Sequence, residues 1–471
     1  MNINPGTEIP AHGRRHGQRV RQVGLILAGV AGVLVGLGSA SLGEAQTARE
    51  RELEDKVTAQ ADEIAELRRQ LGIVIDEVRG LKDGPDVAAE PEELEGRREY
   101  GVAQASGKVY GIARGLSIGG YAEAFYTTQV GDALGSGEGA EADFTRSEVF
   151  IGYRFNESLL FNQAIEFEHA ATGEDGPGEV TIESAYLDFL IRPEMNLRMG
   201  LVTLPIGFMN EQHEPAYING TQRPEVELSI IPSTWREMGF GLHGTLGESL
   251  TYRTYVVNGL NSEGFGSGGF RDGRQGGAEA NADNLAWVGL LEYELFPGLQ
   301  IGGAYYHGNS SFDNRFGAGT GLRLPKTETQ IWEVHAEYRR GGFQLRGLYA
   351  QSEVANAGRL SDALGLGLDQ PVAERMLGGY VEIAYDLMQL LSPGSQATLK
   401  PFLRVEYLDP QRDVPTGYIR DQLVRRRLII PGIQYKPIPS VVLKVDYRNI
   451  EPLRGSAGGA DELRIGMGVS F

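Results

Sequence analysis

From Leu116 to Phe471 the chain alternates short and long connections between segments of two-residue period, a pattern that few folds tolerate. Sixteen segments of about 8–13 residues carry that period, in which successive side chains point to opposite faces of a strand. The first eight lie near 116–127, 145–155, 159–170, 180–192, 196–204, 235–247, 249–258 and 284–295. The others lie near 299–308, 328–340, 342–353, 375–387, 398–408, 425–437, 440–449 and 461–471. Short turns fall at Asn156–Ser158, Pro193–Met195, Glu248, Pro297-Gly298, Gly341 and Ile438-Pro439, with a longer one at Leu390–Gln396. Between them lie polar connections at 128–144, 171–179, 205–234, 259–283, 309–327, 354–374, 409–424 and 450–460. A soluble sandwich has no reason to sort its loops by length, whereas an up-and-down barrel with one periplasmic and one outer rim does. The expected fold is all-β: a sixteen-stranded antiparallel transmembrane β-barrel over 116–471.

The faces of the segments fit the same expectation. In the last one Leu463, Ile465, Met467, Val469 and Phe471 share a face, and Arg464, Gly466, Gly468 and Ser470 the other. In 331–339 the outward set is Trp332, Val334, Ala336 and Tyr338, which leaves Glu333, His335, Glu337 and Arg339 inside. Aromatic residues recur near segment ends, among them Tyr153, Phe155, Phe189, Tyr293, Phe296, Tyr338, Tyr407, Tyr435 and Tyr447. There an amphipathic ring fits the level of lipid headgroups.

The N-terminal quarter reads differently. Arg14, Arg15, Arg19 and Arg21 precede an apolar run from Val23 to Gly38, and Gly43-Glu44-Ala45 offers a small-residue cleavage site. That order is a secretory signal peptide over 1–45. From 46 to 82 a heptad repeat places Val57, Ile64, Leu71 and Val78 at a, and Leu53, Gln60, Leu67, Val74 and Leu81 at d. A 3.5-residue repeat of this kind predicts an N-terminal coiled-coil helix, a periplasmic stalk. Residues 83–115 read as a mobile linker, opened by Gly84-Pro85 and an acidic run. The chain has no cysteine, which excludes disulfides and thiolate metal sites. Its formal charge of −19 opposes nucleic-acid binding.

One stretch resembles a known family. It includes Arg146-Ser147-Glu148-Val149-Phe150-Ile151-Gly152-Tyr153 and Ala185-Tyr186-Leu187-Asp188-Phe189. It continues through Leu197-Arg198-Met199-Gly200-Leu201-Val202-Thr203-Leu204-Pro205-Ile206-Gly207-Phe208. With the signal peptide, stalk and strand count, these residues are similar to the phosphate-selective porin family of O and P type. The resemblance implies an outer-membrane homotrimer, bedded in lipid and lipopolysaccharide, through which small hydrophilic solutes or ions diffuse passively. It also implies that the third long loop, 205–234, folds inward as the pore constriction. That loop carries Glu211, Glu214, Glu225 and Glu227 against a single Arg223. A phosphate filter needs converging cations and N–H donors, so the loop's acidity weighs against phosphate as cargo.

Alternation places further charges in the lumen. Lys400, Arg404, Lys444, Arg448 and Arg464 form a basic wall, and Glu166, Glu168, Glu292, Glu294, Glu333 and Glu337 an acidic one. Opposed walls would set a transverse field, whereas internal pairing would cancel it. A competing function is structural: the barrel anchors, and the coiled coil links the membrane to the cell wall. Nothing points to an enzyme, a catalytic residue, a cofactor or a metal. Gly239-Phe240-Gly241-Leu242-His243-Gly244 matches a dinucleotide motif, but it lies inside an alternating strand rather than in a strand-to-helix turn. His169, His213, His243, His307 and His335 show no zinc-ligand spacing.

Overall fold

The computed structural model describes residues 100–130, 139–172, 176–311, 323–422, 424–453 and 461–471. The expected signal peptide, the coiled-coil stalk and the linker up to residue 99 lie outside the described residues. The first eight strands are β1 (Gly115–Val130), β2 (Glu141–Asn156), β3 (Leu159–Glu168), β4 (Val180–Arg192), β5 (Met195–Thr203), β6 (Arg236–Leu246), β7 (Leu250–Asn258) and β8 (Leu285–Phe296). The remainder are β9 (Leu299–Asn309), β10 (Glu328–Arg340), β11 (Phe343–Val354), β12 (Arg375–Tyr385), β13 (Thr398–Asp413), β14 (Arg426–Ile438), β15 (Val441–Pro452) and β16 (Asp461–Ser470).

Each strand pairs antiparallel with its sequence neighbours, and β1 pairs with β16, so the sheet closes. The Gly120 and Phe471 backbones exchange hydrogen bonds of 3.0 and 2.9 Å at that seam. In hydrocarbon an open edge would leave a row of donors and acceptors unmet at several kcal/mol each, so closure is a condition of existence. The outer surface is apolar: Ile465, Met467, Val469, Val334, Leu291 and Val381 are exposed, while Gly466, Gly468, Glu333 and His335 between them are buried. Apolar outside and charged inside is the reverse of a water-soluble barrel. This is a sixteen-stranded transmembrane barrel.

Two departures from the expected strands have local causes. β13 continues through Asp409-Pro410 to Asp413, where 409–424 reads as loop. Proline has no N–H for the ladder, but the register with β12 shifts between Arg375 and Leu377, and that bulge lets the strand pass it. The connection from β12 to β13 contains a helical turn, Met388–Leu391, held by Asp386, whose Oδ1 accepts from the Met388 and Leu399 N–H at 3.1 and 2.9 Å.

The expected linker 83–115 is corrected over its described part. Residues 100–114 run inside the barrel as an insert with one short helix, α1 (Lys108–Gly111). The insert lies on the inner wall where that wall is made small. Gly152 faces Val109 so closely that an added Cβ would meet its side chain at 2.5 Å. The Ser106 and Tyr110 carbonyls accept from Asn162 Nδ2 (3.0 Å) and Arg154 Nη1 (2.8 Å). A loose tether would not bury Val102, Val109 and Tyr110 to this degree.

A second insert, 204–235, carries the main apolar core. Leu204, Ile206, Phe208, Met209, Val226, Ile230, Ile231 and Trp235 are buried against Tyr255, Val257, Val288, Tyr306, Ile331 and Leu348 of the wall. Each such side chain contributes roughly 1.5–3 kcal/mol on burial. The lumen is thus partly a packed interior and partly a polar one.

Candidate functional site: the lumen and its inserts

Asn210 ties the two ends of the second insert. Its Nδ2 donates to the Leu204 and Trp235 carbonyls at 2.6 and 3.0 Å, and its Oδ1 accepts the Trp235 N–H at 2.5 Å. Gly207 turns the chain inward at φ +73°, with the Glu227 carboxylate where a Cβ would sit. From there the loop crosses the barrel to the far wall. Asn219 donates to Glu382 (2.8 Å) and Gln344 (3.2 Å), and Asp446 accepts from the Thr221 N–H (2.5 Å) and hydroxyl (3.1 Å).

The expected basic wall holds this crossing. Lys444 donates to the Gly220 carbonyl at 2.8 Å, Arg404 to the Gln222 carbonyl at 3.0 Å and Arg464 to the Thr221 hydroxyl at 3.2 Å. Lys436, not among the expected wall residues, donates to the Ala216 carbonyl at 2.7 Å. Arg448 reaches Glu225 at 2.6 Å and Glu462 at 2.9 Å. Lys400 lines a cavity of about 50 Å³ with Lys436, Arg339 and Tyr217. These cations serve the loop backbone as much as the pore.

The loop's carboxylates are engaged in the same way. Glu211 pairs with Arg253 at 3.0 Å, and Glu214 accepts the Ala105 N–H of the first insert at 2.7 Å. Glu225 also pairs closely with Arg426, and Glu227 accepts from the Met209 N–H and the Tyr380 hydroxyl, both at 2.7 Å. Burial pushes the Glu211, Glu214 and Glu227 carboxyls up to about 7. Arg223 is buried beside Arg146, and both burial and that neighbour lower its affinity for the proton.

The acidic wall is paired in place. Glu337 meets Arg346 at 2.7 Å and Arg339 at 2.9 Å, Glu333 meets His335 at 2.9 Å, and Glu292 meets Arg253 at 2.8 Å. Glu166 lies 3.5 Å from Arg146. Glu168 sits at the end of β3, and Glu294 is exposed near the Pro297-Gly298 turn, away from the others. Of the acidic wall, Glu166, Glu292, Glu333 and Glu337 each have a cationic or histidine partner close by.

Two clusters escape sequence reading. In one, Asp188 is buried among Tyr110 (2.6 Å), Arg198 (2.8 Å) and His243 (2.7 Å), and Arg198 also holds the Tyr100 carbonyl at 2.7 Å. It fastens the first insert to β4, β5 and β6. In the other, His213 of the loop lies 3.1 Å from Glu183 and 3.4 Å from Glu148. Glu183 faces inward because β4 bulges: Ala164 opposes Ser184 while Ile165 opposes Ile182, which leaves Glu183 as the extra residue. Strict alternation from Tyr186 and Asp188 assigns it to the other face.

No family model matches the chain. A curated protein of Aquifex aeolicus (strain VF5), described as uncharacterised, is 33% identical over 359 residues, which cover 74% of this chain and 78% of that protein. The chain belongs to that protein's family. Among solved structures, OmpF of Salmonella typhi in complex with daunomycin is similar at a TM-score of 0.49 and 15% identity, covering 76% of this chain and 98% of that one. The outer membrane channel DcaP of Acinetobacter baumannii is similar at 0.47 and 10% identity, covering 76% and 98%. An anion-selective porin from Comamonas acidovorans is similar at 0.46 and 10%, covering 76% and 99%. The barrel assignment stands on the strand pairing itself, not on these likenesses.

Proposed function

We propose that the chain is an outer-membrane porin, a water-filled channel for passive diffusion of small hydrophilic solutes or ions. One observation carries the reading: a closed barrel with an apolar exterior encloses charged side chains and a loop that crosses the lumen and is tied to its far wall. An anchor alone needs neither the charged interior nor the crossing loop. In this reading Glu211, Glu214, Arg223, Glu225 and Glu227 belong to the constriction, and the walls around it set the passage. The homotrimer implied by the resemblance, the contact with lipopolysaccharide and the periplasmic stalk expected from the heptad repeat complete the proposal.

The paired carboxylates bear on selectivity. A formal count makes the loop acidic, but each of its four glutamates meets a cation or an N–H donor, so little anionic field reaches the passage. We infer weak ion preference rather than a phosphate filter. Proteoliposomes made with the purified full-length protein should swell in isotonic solutions of small sugars and amino acids, at rates that fall with solute size. No swelling at any size would leave the structural anchor as the better reading. In a KCl gradient the reversal potential should be small, and added phosphate should not block the current. A large potential with block by phosphate would restore the phosphate-selective reading.

A further inference from the structure

We propose that Glu148, Glu183 and His213 form a binding site for a first-row divalent cation that staples the crossing loop to the barrel wall. The three side chains come from β2, from β4 and from the loop, and one donor atom of each lies within 4.8 Å of the other two. The spacing is that of a coordination sphere. An ion bound tetrahedrally at about 2.0–2.1 Å places its ligand atoms roughly 3.3 Å apart, and His213 Nε2 stands 3.1 and 3.4 Å from the two carboxylate oxygens.

The imidazole is oriented for the task. His213 Nδ1 lies 3.3 Å from the Asn210 carbonyl oxygen, which can only accept, so Nδ1 carries the proton and donates. In the neutral ring that leaves the Nε2 lone pair facing the carboxylates, where an ion would take the place of a second proton. A ligating histidine is usually held this way, by a carbonyl on its other nitrogen. That carbonyl belongs to the residue whose side chain ties the ends of the loop, so the ligand and the loop's closure are one unit.

The carboxylates supply the second observation. Glu148 is 1% exposed, and its Oε2 makes no hydrogen bond among the described residues, its nearest polar contact being His213 Nε2 at 3.4 Å. Two arginines stand near the pair: Arg223 is buried and acts on Glu183 electrostatically, and Arg236 forms an ion pair with its other oxygen at 3.6 Å. Arg146 is drawn to Glu123 at 2.6 Å and Glu166 at 3.5 Å. The bulge turns Glu183 inward, toward His213 and Arg236. Bulges that re-aim a side chain belong at sites of this kind. A mixed imidazole and carboxylate set suits zinc, manganese or cobalt, and a cavity of about 40 Å³ lined by the same residues leaves room for a water to complete the sphere.

The rival occupant is a proton, with imidazolium bridging both carboxylates, and metal titration separates the two. Full-length protein, stripped with chelator and shown intact by heat-dependent gel mobility, would be titrated with Zn²⁺ by calorimetry and with Co²⁺ by visible absorption. One equivalent should bind per chain with release of protons. Glu183→Gln and His213→Ala should each weaken binding at least about tenfold, while Glu214→Gln, outside the triad, should not. X-ray absorption of zinc on the unsubstituted protein should show one imidazole among oxygen ligands, a readout that needs no variant to fold. No binding, equal binding in His213→Ala, or a sphere without imidazole would overturn the proposal. The test is independent of conductance, so its failure would leave the porin reading standing.

Discussion

Glu227 shows how much a single lumen side chain is asked to do. Fully buried, it accepts from Met209 and Tyr380 and blocks any side chain at Gly207. Burial raises its carboxyl to about 7, above the ordinary value of 4.5. The folded state therefore holds the proton more tightly than the unfolded one. That contribution to stability is complete below about pH 4.5 and is lost as pH rises through about 7. Glu211 and Glu214 act in the same direction. The apparent melting temperature should fall between about pH 5 and about pH 8, and Glu227→Gln should flatten the slope; equal slopes would contradict the burial argument. Arg198→Ala should be costlier, at roughly 3–5 kcal/mol, because it strands buried Asp188 and Tyr110. Denaturant unfolding checks that value. Asp188 and Arg198 were legible as lumen positions, since both lie in alternating strands. Glu183 was not, because its inward face depends on a bulge, and a bulge leaves no mark in period-two alternation.

At the scale of elements, strand positions followed from the sequence because a one-residue slip would turn every apolar side chain into the lumen. Connection lengths added the up-and-down order. The two inserts were harder. The resemblance implied that 205–234 folds inward, but not that its isoleucines and Phe208, with the neighbouring Trp235, would fill an apolar core inside the barrel. Residues 100–114 carry apolar side chains in neither a two-residue nor a helical period, and they are fixed by partners such as Arg198 and Asn162 far along the chain. Both inserts make testable contributions to the passage. Asp446→Ala removes two hydrogen bonds to Thr221, a loss of about 1–3 kcal/mol in loop anchoring. Single channels of that variant should be noisier and larger than those of the parent. Deletion of 100–112 should also raise conductance, provided heat-dependent mobility shows the barrel intact. Unchanged currents in both variants would mean that neither insert limits flow.

For the whole molecule, closure and inversion are the governing facts. The hydrogen-bonded ring of sixteen strands removes every edge, the apolar exterior requires lipid, and many lumen acids are paired locally. Formal charge overstates the field inside: −19 for the chain coexists with a lumen in which most acids have a cation within 4 Å. A sequence gives formal charge without partners, which is why opposed walls and internal pairing both stood as readings there. The most direct measurement is electrical. Purified full-length protein added to a planar lipid bilayer should insert in discrete, repeated current steps that are nearly ohmic in KCl. A bilayer that stays silent while the protein is shown to be folded and inserted would contradict a porin.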